Sequence, residues 1–208
     1  MSGLRRSNNF ALRYSSVRQK QKQNIHIIIM RLRLDNVRLS FADLYTAKSK
    51  FNGPEKFSAV FLVDKTTPEG EANMKEFKAI CRKLEAEKFD GKELPIDKLC
   101  VSDGNDKDYD GWENKIVFTA ANAKRPKIVG SQNQAVAEGD AEAPYSGCFV
   151  SVILDVWPLT GQFGPRIVAS LEAVQYRSAG EPFSAHTVDT DTAFEKVEDN
   201  TETSGFGL

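Results

Sequence analysis

The loop Asp103–Gly111 (DGNDKDYDG) places Asp106, Asp108, Asp110 and Gly111 at the spacing of the first half of a calcium loop. Such a loop needs a bidentate carboxylate at its twelfth position. Counted from Asp106 that position is Val117, and a strand pattern follows where a second helix should stand. Turn chemistry accounts for these acids better than calcium does. Paired carboxylates could also hold two metal ions for phosphodiester cleavage, but these share one loop with no histidine beside it. The histidines are His26 and His186, both outside the body of the chain, which leaves the body without imidazole acid–base chemistry. Neither a GxxxxGK[ST] phosphate loop nor a GxSxG elbow occurs, and Gly161–Gly164 (GQFG) reads as a turn. Cys81, Cys100 and Cys148 lie far apart without a CxxC pair, as reduced thiols of a cytosolic protein do. The expectation is a non-enzymatic protein without cofactor or metal. A metal-dependent nuclease or calcium-binding module is the alternative.

Basic residues interleaved with aromatics carry the other candidate chemistry. Lys48, Lys50, Phe51 and Lys56 share one inter-strand turn. Tyr109, Trp112 and Lys115 lead into a strand, and Lys124, Arg125 and Lys127 surround Pro126. Trp157 and Arg166 flank a hairpin, with Tyr176 and Arg177 at its far end. Unpaired nucleic acid is held in this way, cations following the phosphates while flat rings stack on bases. The competing reading makes Trp157, Phe118 and Tyr176 core residues and the lysines ordinary solvated surface. Trp112, beside Gly111 in a polar context, is expected to be exposed.

Strand signals dominate the elements that must position these residues. Arg31–Phe41 alternates with Leu32 and Leu34 on one face, then shifts phase so that Val37, Leu39 and Phe41 take over. A period-2 pattern that slips by one residue marks a β-bulge. Phe57–Asp64 is apolar on both faces, as a central strand is. Thr67 and Pro68 open a helix whose stripe is Met74, Phe77, Ile80, Cys81 and Leu84, and Asp90-Gly91 ends it. Lys92–Gly111 reads as loop. Asn114–Ala120, Pro126–Val129, Gly147–Pro158 and Arg166–Arg177 complete the strands. About five curved strands with one inserted helix make a mainly β, five-stranded OB-fold-type barrel.

Charge divides the chain of 208 residues into three parts. Met1–Met30 has six bases and no acid, whereas Arg31–Gly180 is nearly neutral with 21 bases and 22 acids. Glu181–Leu208 has seven acids and one base. Too little apolar surface lies in that last segment to offset the entropy of ordering it, so it reads as a disordered acidic tail. Its aromatics, Phe194 and Phe206, are candidate partner-docking residues. The expected domains are a disordered basic extension (1–29), a barrel (30–180) and the tail (181–208). The extension has transit-peptide flavour and could instead be a phosphate-touching arm. The favoured reading is a natural start at Met30, where MRLRLDNVRLSF opens directly on a strand. No apolar run approaches a membrane span. The neutral body keeps a protein–protein adaptor among the alternatives.

The order of motifs from Met30 onward resembles the OB-fold single-stranded-DNA-binding proteins of tailed bacteriophages. The carriers are the Lys-rich turn, the Pro-started helix, Tyr109–Trp112 (YDGW), Tyr145–Val150 (YSGCFV), Val156–Pro158 (VWP), Val174–Arg177 (VQYR), Gly180–Phe183 (GEPF) and the acidic end. The resemblance leaves Met1–Ile29 unexplained. It implies a barrel groove that binds single-stranded DNA without strong sequence preference, in the cytoplasm of a bacterial host. The implied work is replication, recombination or repair, performed as monomer or homodimer. It also implies an acidic tail that competes with DNA and contacts replication or recombination proteins. In this chain Gly207 and Leu208 follow the tail's last aromatic.

Overall fold

A computed structural model describes residues 28–50 and 52–183. Phe51, Phe194 and Phe206 lie outside the described residues. The long strands are β1 (Met30–Lys48), β2 (Lys56–Asp64), β4 (Lys115–Asn122), β6 (Phe149–Gly161) and β7 (Gly164–Ser178). Two three-residue strands, β3 (Val101–Asp103) and β5 (Lys127–Val129), lie at the sheet edges, giving the order β3-β4-β2-β1-β6-β7-β5. The mainly β, OB-type plan holds, with seven strands among the described residues where about five were expected. β3 corrects the reading of Lys92–Gly111 as loop throughout. Its Val101 is buried opposite Phe118 of β4, a pairing at long range that leaves no local periodicity.

β1 is the common strand of both halves. Its first part pairs with β6 and its later part with β2. The phase shift read in the sequence is a bulge between Leu34 and Val37, with Asn36 at φ 52°. A second irregularity lies between Ser40 and Asp43, where Phe41 takes φ 46°. Positive φ is costly for a large side chain, by about 1–3 kcal/mol, and persists only where surroundings enforce it. These two breaks coil β1 enough to serve both halves. At the far side of the sheet, Asn122 Nδ2 of β4 donates to Leu171 O and Glu172 Oε1 of β7, at 3.2 and 2.9 Å. β4 and β7 are not paired in the sheet, so the barrel is partly open there, and Asn122 hydrogen-bonds across the gap.

The helix α1 (Pro68–Lys88) begins where the sequence predicts. Thr67 Oγ1 accepts from Gly70 N at 3.1 Å, and Glu69 and Glu71 sit at the positive end of the dipole. Phe77, Ile80, Cys81 and Leu84 enter the core. Phe77 meets Phe118 edge-on with ring centres 4.9 Å apart. Asn73 docks the helix on the first bulge, accepting from Asp35 N at 3.0 Å and donating to Asp35 O at 2.9 Å. Those two backbone groups would otherwise be stranded where the ladder is broken.

Candidate nucleic-acid interface

Strand register decides which side chains share a face. Phe61 and Val63 of β2 point into the core, so Ser58, Val60, Leu62 and Asp64 point to the opposite side. Their cross-strand partners form successive rows on that outer face. Arg38 lies opposite Leu62, and Leu62 opposite Val117. Ser40, Val60 and Thr119 make the next row, then Asp43, Ser58 and Ala121. Lys48 and Lys56 face each other at one end, and Asp64 faces Lys115 at the other. The apolar character of both faces of β2 now has its explanation: one face is core and the other floors this strip.

Two lysines at the basic end are held by one acid. Lys48 Nζ lies 2.6 Å from Asp43 Oδ1 and Lys50 Nζ 3.3 Å from Oδ2, while Lys50 also donates to Ser58 Oγ at 2.9 Å. Burial pushes the Asp43 carboxyl up, but the hydrogen bonds and charges of Lys48 and Lys50 outweigh it and hold Asp43 below its ordinary value. Both lysine side chains remain more than half exposed. Lys56 is exposed beside them. Lys115 is different, because its ammonium is engaged by Asp64, whose carboxyl is held far below the usual range by that bond and by Thr66.

The centre of the strip is aromatic. Trp112 is 5 % exposed, which corrects the expectation that it is open to solvent. It is covered because Leu62, Val117, Val60 and Phe183 converge on it from segments far apart in sequence. Exposed rings stand beside it instead. Phe41 and Tyr109 are each nearly half exposed, their ring centres 5.2 Å apart, and both lie within 5.8 Å of the Trp112 ring. Phe41 was missed because the alternation of β1 assigns it inward. Its positive φ turns it out.

The remaining candidates divide. Lys124, Arg125 and Lys127 are exposed, and Arg125 lies 5.4 Å from the ring centre of Tyr45, near the Lys48 end of β1. Trp157 is half-buried on β6 and donates Nε1–H to Ser170 Oγ at 3.1 Å. Arg166 sits 5.6 Å from the ring centre of Phe163, which is 68 % exposed at the tip of the β6–β7 hairpin. Arg177 is exposed, whereas Tyr176 packs against the core and away from the strip. None of these β6–β7 residues lies on the β1–β2–β4 rows.

The acidic loop serves turn geometry. Asp103 accepts from Asn105 N at 3.0 Å, and Asp106, Asp108 and Asp110 are exposed. Among the described residues no three His, Cys, Asp or Glu side chains are grouped to hold a metal ion. Burial pushes the Cys81 and Cys100 thiols up to about 12, so at neutral pH they are not thiolate nucleophiles.

Comparison with known proteins bears on the family and the fold. The chain is 28 % identical over 165 residues to protein p50 of Acyrthosiphon pisum secondary endosymbiont phage 1, covering 74 % of this chain and 87 % of that one. Its fold is similar to the single-stranded DNA-binding protein from bacteriophage Enc34, with a TM-score of 0.63, 28 % identity, and coverage of 79 % of this chain and 90 % of that one. The same phage protein solved in complex with single-stranded DNA matches with a TM-score of 0.61 at 25 % identity, over 74 % and 89 % of the two chains. The model of the Enterobacter phage Enc34 single-stranded-DNA-binding protein family matches residues 30–204. Because that match spans most of the chain, this chain belongs to the Enc34 single-stranded-DNA-binding protein family.

Proposed function

We propose that this chain is a non-enzymatic protein that coats single-stranded DNA with little sequence preference, in the cytoplasm of a bacterial host. Its work is phage replication, recombination or repair. Residues 30–180 form the binding domain, residues 1–29 a basic extension, and residues 181–208 a tail. The tail competes with DNA and contacts replication or recombination proteins. The observation that carries this reading is the β1–β2–β4 strip, which joins Lys48, Lys50 and Lys56 to the exposed rings of Phe41 and Tyr109. Phosphates follow the lysines while bases stack on the rings, an arrangement indifferent to base identity because every base has a π-face. Lys124, Arg125 and Lys127 extend the basic end. Trp157, Arg166 and Arg177 offer a second stretch of track along β6–β7.

A fluorescence titration with labelled oligo-dT at two salt concentrations tests the proposal. Binding should weaken steeply with salt, with a log–log slope of about −0.7 for each phosphate neutralised. A chain that does not bind oligo-dT at low salt ends the proposal.

A further inference from the structure

The segment that leads into the tail crosses the outer strip before it leaves the barrel. The Tyr145 hydroxyl donates to Gly180 O at 2.8 Å and accepts from Gly180 N at 3.1 Å. Phe183 N donates to Ser146 O at 3.1 Å. Arg38 fastens the same segment from β1, donating from Nη2 to Glu181 O at 2.6 Å. The backbones pass so closely that a Cβ on Gly147 would lie 2.2 Å from Glu181 O. Phe183 ends this strap with its ring on the strip itself.

The ring occupies a slot with a distinct composition. Arg38 Cζ lies 4.0 Å from the ring centre, at stacking distance, and Leu62, Trp112 and Val117 form the apolar floor. A Cβ on Gly111 would lie 2.7 Å from Phe183 Cε1, so the loop passes against the ring edge. Phe41 and Tyr109 border Trp112 on the same face. A flat π-system held under a guanidinium, on an indole and aliphatic floor beside two further rings, is the environment an unpaired base prefers.

We infer that the Phe183 slot is a nucleobase subsite, occupied in the unbound protein by the chain's own ring and taken by a base of single-stranded DNA when Phe183 leaves. The inference rests on the single-stranded-DNA reading and deepens it. Occupation by Phe183 explains why Trp112, in the middle of the strip, is covered in this state. Exchange also couples the two ends of the function, since a base that enters the slot releases the segment that begins the acidic tail. Arg38 serves both occupants. It stacks on whichever ring is present.

The test compares the full-length chain with its F183A and F183L variants at low salt. Two labelled strands of equal length are titrated: oligo-dT, and an abasic sugar–phosphate strand. F183A is expected to bind oligo-dT on the order of tenfold more tightly, the scale of one base–aromatic stack, with affinity for the abasic strand unchanged. F183L is expected to show the same split to a smaller extent. Its aliphatic side chain still covers Trp112, so it decides the matter if F183A does not fold. A gain of equal size on both strands would mean that Phe183 only anchors tail charge, and would overturn the subsite. Unchanged or weaker oligo-dT binding by the variants would overturn it as well. If the wild-type chain itself fails to bind oligo-dT, the single-stranded-DNA reading falls first and takes the subsite with it.

Discussion

Phe41 meets Tyr109 edge-on, their ring centres 5.2 Å apart, across the gap between a bulged strand and an acidic loop. Neither segment alone would hold an exposed ring in place. Together they fix a pair of rings above Trp112. Tyr109→Ala and Phe41→Ala should each weaken oligo-dT binding by about 1–3 kcal/mol while leaving the melting temperature little changed. Phe41→Gly sharpens the point, since glycine accepts the positive φ without strain. A loss of affinity in that variant reports the ring and not the backbone. Fluorescence titration beside a thermal melt checks all three.

The Asp43 carboxylate neutralises part of the basic end by holding Lys48 and Lys50. Asp43→Asn should therefore tighten binding at low salt. It should also steepen the salt dependence by about 0.7 in log–log slope for each lysine released to a phosphate. Titrations across a salt series measure both. Equal slopes in the two proteins would show that these lysines do not meet the phosphates.

Asn73 carries the contact between α1 and β1. It is buried, and both of its bonds go to backbone groups of Asp35. Asn73→Ala leaves that N–H and C=O without their partner and should cost about 2–4 kcal/mol of stability, read from urea denaturation. Oligo-dT affinity at saturating folding should be unchanged, because Asn73 lies on the core side of the sheet.

The Asp64–Lys115 pair gives a pH dependence with a definite sign. Hydrogen bonds from Lys115 and Thr66 hold the Asp64 carboxyl well below its ordinary value. A depressed folded value stabilises the protein above the unfolded carboxylate pKa of about 3.9, and that contribution fades as pH falls toward the folded value. Asp64→Asn should accordingly lower the melting temperature at pH 7. The gap between variant and wild type should narrow below about pH 4. Melts at the two pH values test this.

Cutting the chain after Phe183 separates tail charge from the strap. That truncation retains the ring on its slot and removes the acidic residues from Asp189 onward. It should bind oligo-dT more tightly than the full chain at low salt, with the difference shrinking as salt screens the tail. Weaker binding by the truncated chain would contradict tail competition.

Much of the barrel was legible in the chain because its signals are local. The phase shift between Leu34 and Val37 located the first bulge, and Thr67-Pro68 located the helix start. The two-faced apolarity of Phe57–Asp64 marked a central strand, and β2 does lie between β1 and β4. The strip was less legible because its definition is long-range. Nothing near Trp112 in sequence reveals that Leu62 and Phe183 will cover it. Phe41 continues the inward alternation of Val37 and Leu39, and only the second bulge reverses it. Lysines on the inter-strand turn were found from composition, but the acid that holds them, Asp43, enters through strand pairing.

Ultraviolet crosslinking of oligo-dT to the full-length chain, with the linked residues identified by mass spectrometry, tests most directly whether the β1–β2–β4 face receives the strand. Crosslinks should map to Phe41 and Tyr109 and to peptides carrying Lys48, Lys50 or Lys56. Crosslinks confined to α1, with the strip unlabelled, would contradict the assignment of this face.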